Sequence, residues 1–199
     1  MKSLKSFTSI AVGSLLISAS SLLACEMPVD VHPTSCPNPI NVGSGGVVPA
    51  AILGTTNVGW NSVDKINPLH DDVEREEKGI QMLAYDPEDP NGGFIKDTDG
   101  NVIIVQATRS SLEDVATPYG EQIDCGNEYS CTTNGPDGIM DLTLKFPTQS
   151  KKGKPGVADL LVGLNPGETR CVMIQAWTYP QEGDGAVQRL HGKDIIIVK

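Results

Sequence analysis

Asp141-Leu142-Thr143-Leu144-Lys145-Phe146 alternates polar and apolar residues without a break. Successive side chains of an extended chain point to opposite faces, so this stretch reads as a strand with one packed and one wet face. The turn cluster Gly135-Pro136-Asp137-Gly138 leads into it. Outward from it, apolar runs bounded by turn residues predict further strands over 27–31, 46–53, 79–85, 101–108, 140–146, 170–179 and 193–199. Cys171-Val172-Met173-Ile174-Gln175-Ala176-Trp177 is apolar on both faces over most of its length, as a central strand must be. With 21 Gly and 14 Pro breaking the apolar runs at short intervals, the pattern is all-β. It predicts an Ig-like two-sheet antiparallel β-sandwich of about seven or more strands.

Helical signals are weak. Asp71-Asp72-Val73-Glu74-Arg75-Glu76-Glu77-Lys78 lacks an apolar stripe and reads as a short exposed helix or a charged loop. Ser110-Ser111-Leu112-Glu113-Asp114 has Ser and Glu at capping-box spacing, which predicts one capped turn. No internal repeat or low-complexity linker divides the chain, so residues 25–199 are expected to form a single domain.

Residues 1–24 are of another kind. Lys2 and Lys5 precede an apolar, serine-studded run that ends in Leu22-Leu23-Ala24-Cys25. A positive start, an apolar middle and a small residue at the cut make a signal peptide. Two readings of the cut compete. Leu22–Cys25 looks like a lipobox, in which Cys25 is acylated and becomes the new N-terminus. An ordinary signal peptidase cutting after Ala24 would instead leave Cys25 as a thiol. The run is too short and too rich in Ser to be read as a membrane span. Loss of Lys2 and Lys5 takes the formal charge from −10 to −12. Such an acidic chain is unsuited to nucleic acid, whose phosphates demand clustered Lys and Arg.

Several stretches together carry a resemblance: Pro33-Thr34-Ser35-Cys36-Pro37-Asn38-Pro39-Ile40-Asn41, Pro49-Ala50-Ala51-Ile52-Leu53-Gly54, Ser111-Leu112-Glu113-Asp114-Val115-Ala116-Thr117-Pro118, and Gly135-Pro136-Asp137-Gly138-Ile139-Met140-Asp141 running into the alternating strand. They resemble a domain of secreted and surface-attached bacterial proteins. The resemblance covers 27–66 and 109–199, implies an Ig-like fold and no catalytic activity, and leaves 67–108 as an inserted hairpin with charged flanks. Relatives often carry an acidic calcium loop before the alternating strand. In that register Thr133, Gly135, Asp137, Gly138 and Asp141 occupy the loop, with Thr and Gly at two ligand positions. Asp137, Asp141 and Thr133 would therefore hold calcium only weakly, and a tight turn entering a strand is the competing reading. Asp97-Thr98-Asp99-Gly100-Asn101 is calcium-like too, but reads more simply as a hairpin turn bent at Asp99-Gly100.

With Cys25 acylated, four cysteines remain, an even set suited to an oxidising compartment. They allow three connectivities. Pairing the local couple Cys125 and Cys131 leaves Cys36 with Cys171, and each bridge would add about 2–4 kcal/mol. Zinc is the rival, yet Cys-x5-Cys is not zinc spacing and His32, His70 and His191 lie far from any Cys pair in sequence.

No Gly-x-Ser-x-Gly elbow or His-Glu-x-x-His motif occurs, and Gly43-Ser44-Gly45-Gly46 precedes a strand rather than a phosphate-binding helix. Trp60 and Trp177 read as core before carbohydrate platform. The sequence thus predicts an exported, lipid-anchored, non-enzymatic β-sandwich that binds or supports something at the bacterial cell envelope, periplasmic or outer, or else secreted. Its expected partners are the membrane, through the lipid, and an unidentified protein or glycan. The alternative is a calcium-dependent adhesion or carbohydrate-binding module with the ion near Asp137 and Asp141. No other cofactor is expected.

Overall fold

A computed structural model describes residues 25–55, 63–72, 77–86, 88–89, 91–118, 133–180 and 186–199. Among them the regular structure is almost entirely extended. The strands are β1 (Cys25–Glu26), β2 (Val29–Val31), β3 (Asn38–Ile40), β4 (Val47–Ile52), β5 (Asp71–Asp72), β6 (Glu77–Lys78), β7 (Gln81–Ala84), β8 (Val105–Gln106), β9 (Arg109–Glu113), β10 (Asp141–Pro147), β11 (Thr169–Trp177) and β12 (Arg189–Val198). Two 3-10 turns, Val63–Lys65 and Val157–Leu161, complete the set.

The larger sheet runs β1-β12-β11-β7-β8, with β3 also paired to β12; the smaller runs β2-β4-β10-β9. One core lies between them. β10 sends Leu142, Leu144 and Phe146 into it, as its alternation requires, to meet Val172, Ile174, Ile196 and Met82 from the larger sheet. Leu160 and Val157 of the second 3-10 turn join the same cluster. β11 is central, flanked by β12 and β7, which is why both of its faces are apolar. Residues 67–108 contribute β7 and β8 to the larger sheet, and Ile80, Met82, Ala84 and Val105 to the core.

Three expectations are corrected. The second face of β10 is not wet at its start: Asp141 and Thr143 are buried, and Ala51, Leu53 and Ala116 form a small second apolar cluster. Ser110–Asp114 is no capped turn, because Arg109–Glu113 is a strand paired along β10. The charged run at 71–78 is no helix at its ends: β5 and β6 pair antiparallel, with a Lys78–Asp71 ion pair at 3.3 Å. Residues 73–76 between the two strands lie outside the described residues.

The chain changes sheets over Gly192. β1 pairs parallel to β12 at Leu190 and His191, Met27 N–H donates to His191 O, and β2 then joins the smaller sheet. A Cβ on Gly192 would collide with the carbonyl oxygen of Met27 and the side chain of Val29. Glycine is required there by close backbone approach.

Candidate functional site

Cys25, the expected lipidation site, is the first residue of β1 and stands opposite Leu190 at one end of β12. At the other end of the same strand, Ile40 stands opposite Val198. Eight positions separate the two, about 26 Å of extended chain. Cys36 lies in the bend before β3, followed by a cis peptide to Pro37, and Cys171 lies on β11 opposite Ile195. Cys125 and Cys131 fall outside the described residues, as does Trp60. Trp177 is buried and stacks on His70, with ring centroids 5.1 Å apart and planes 12° from parallel, so it offers no open platform.

The calcium candidates do not converge. Asp141 is fully buried, and its two oxygens already accept three backbone N–H groups: Gly54 at 2.8 Å, Val115 at 2.9 Å and Ala116 at 3.1 Å. Asp137 turns its own carboxylate back to the N–H of Ile139. The Asp137 and Gly138 N–H groups are held by the Asp114 carboxylate, and Thr133 is exposed. Among the described residues no three His, Cys, Asp or Glu side chains are placed to share an ion. The second calcium-like fragment closes on itself as a turn, with Asp97 Oδ1 accepting the N–H groups of Asp99 and Asn101. Those bonds hold the Asp97 carboxyl below its ordinary range.

The polar feature that sequence reasoning missed lies between the sheets. Asp194 is on the core face of β12, almost wholly buried. Just after β2 the His32 N–H donates to Pro49 O of β4, so the Val31 N–H before it points out of the smaller sheet. It meets Asp194 Oδ2 at 2.6 Å. Asn38 Nδ2, from β3, donates to the same oxygen at 2.9 Å and to Ile195 O at 3.0 Å, while Ile195 N–H donates to Oδ1 at 2.7 Å. One side chain thereby closes the edge of β2 and ties the two sheets together.

Asp30 is buried beside it. Its Oδ2 and the Asn38 Oδ1 have no hydrogen-bond partner among the described residues. Desolvation, with a smaller push from Asp141, moves the Asp30 carboxyl up to about 7 against the opposing Thr34 backbone bond. Desolvation and the neighbouring Asp30 move Asp194 up to about 8, against the N–H bonds from Val31 and Ile195. Neither group is open to a substrate. Both act on cohesion.

A shallow hollow of about 270 Å³ opens near the Ile40 end of β12, lined by His32, Ile40, Asn41, Val48, Thr148 and Lys199. Its rim includes a tight bend: His32 and Thr34 both take positive φ, 64° and 71°, and the Ser35 N–H donates back to His32 O. Comparison with protein-family models, curated proteins and solved structures finds no match.

Proposed function

We propose that the chain is an exported, lipid-anchored, non-enzymatic module of the bacterial cell envelope, with an Ig-like sandwich as its body. One observation carries the reading. Cys25, where the sequence puts the lipobox cut, is also the residue that pairs with Leu190 at the end of the larger sheet. An acyl chain on Cys25 would hold that end of the sandwich at the membrane without a tether. The hollow lined by His32, Asn41 and Thr148 would face away from it, where a protein or glycan could be met.

The Ig-like assignment is supported by strand order. With β1, β3, β5 and β6 set aside, the remaining strands in chain order take the places A, B, C, C′, D, E, F and G. The smaller sheet is then A-B-E-D and the larger G-F-C-C′. A bridge between Cys36 and Cys171 belongs to the proposal and would tie the bend before β3 to β11.

Fractionation tests the anchor. The native chain should sediment with membranes and incorporate labelled fatty acid, while Cys25→Ser should appear in the soluble fraction without label. Identical fractionation of the two proteins would overturn the lipid anchor.

A further inference from the structure

The outer edge of the smaller sheet is β9, and all five of its residues are exposed. A strand edge carries N–H and C=O groups that can pair with another strand, and such edges are commonly blunted by charge or covered. Here the charges are arranged differently. Arg109 stands directly opposite Lys145 of β10, and Glu113 directly opposite Asp141. Each end of β9 therefore faces a like charge on its inner side, an unfavourable pairing. Among the described residues neither Arg109 nor Glu113 makes an ion pair, and Glu113 contacts the hydroxyls of Ser111 and Thr143.

We propose that β9 pairs antiparallel with β9 of a second copy of this chain, about a two-fold axis through Ser111. Arg-Ser-Ser-Leu-Glu is self-complementary in that register alone. Arg109 then lies opposite Glu113 of the second copy, Glu113 opposite its Arg109, and Ser111 opposite Ser111. Each end of the strand gains the opposite charge that its inner neighbour denies it. Leu112, half exposed at the edge, comes beside Ser110 of the second copy and extends the apolar floor across the seam. The two four-stranded sheets become one of eight strands, with isologous contacts that close the assembly at two. Registers centred on Ser110 or Leu112 leave Arg109 and Glu113 without each other.

The mature chain carrying Cys25→Ser, which removes the N-terminal thiol, suits the test. Sedimentation equilibrium should show a reversible monomer–dimer transition with rising concentration. Arg109→Glu or Glu113→Arg alone should weaken dimerisation about ten-fold, since a two-fold axis makes each change count twice. The double variant, which exchanges the charges, should restore it. Under mild oxidation Ser111→Cys should cross-link into a covalent dimer, whereas Ser110→Cys should not. Monomer mass up to millimolar concentration, or equal cross-linking at 110 and 111, would overturn the proposal, and so would a double variant no tighter than the singles.

Discussion

Replacing Asp30 by Asn should produce a protein that matches the native chain in acid and exceeds it in base. Asp30 is 4% exposed, and its carboxyl is pushed from an ordinary 3.8 to about 7. A carboxyl raised in the folded state holds its proton there and loses it in the unfolded chain. Its stabilising contribution is therefore complete below about pH 4 and disappears as pH rises through about 7. Over that window the folded state weakens by about 1.4 kcal/mol per pH unit for this one group, and by about 4 kcal/mol at most across it. Asn has nearly the shape of the protonated acid but cannot ionise. Urea unfolding at pH 5, 6, 7 and 8 is the assay. The native chain should lose stability steadily between pH 5 and 8, with Asp194, raised to about 8, extending the decline. Asp30→Asn should follow a shallower slope and cross above the native curve before pH 8. Parallel curves for the two proteins, or native stability that rises with pH, would refute the buried-acid argument. Asp97 and Glu168, both held below their ordinary values by hydrogen bonds, act in the opposite sense, their contribution falling away in strong acid. Stability should accordingly peak near pH 4, where these opposing trends meet.

Other outcomes follow from single contacts. Gly192→Ala should destabilise by about 2–3 kcal/mol in chemical unfolding, because the new methyl drives β1 and β2 off β12 where the chain changes sheets. Asp141→Ala strands three N–H groups, two buried and one half-buried, and should cost about 3 kcal/mol or more; a loss under 1 kcal/mol would mean that water replaces the carboxylate. Calcium should leave the melting midpoint unchanged relative to chelator, since the Asp141 oxygens are already occupied; a rise of several degrees would revive ion binding at the 133–141 loop. Thr34→Gly should be neutral or slightly stabilising, because a β-branched residue at φ 71° is strained where glycine is not.

How far the sequence could be read depended on whether the deciding contact was local. Leu142, Leu144 and Phe146 announce their face within six residues, and that face is the one they bury. β11 is equally plain, because Val172-Met173-Ile174 and Ala176-Trp177 put apolar residues on both of its covered faces. β9 could not be read this way. All of its residues are exposed, so it carries no hydrophobic period, and the spacing of Ser110 and Glu113 imitates a helix start. The surroundings of Asp141 were settled at a distance as well, since one of the donors to its carboxylate is Gly54, 87 positions away. Asp30 and Asp194 had a signal that could have been used. Each interrupts an apolar strand, at Val29-Asp30-Val31 and just before Ile195-Ile196-Ile197-Val198, and an acid in such a place must be paired, protonated or misassigned.

The parallel seating of β1 on β12 has a mechanical consequence. Force transmitted through Cys25 along the strand axis loads the β1–β12 bonds and the Met27–His191 bond in shear, so they resist together instead of unzipping in turn. Rupture there would pay out slack only as far as Pro28 and Val29, where the pairing of β2 with β4 takes up the load and keeps the rest of the core closed while the leash lengthens.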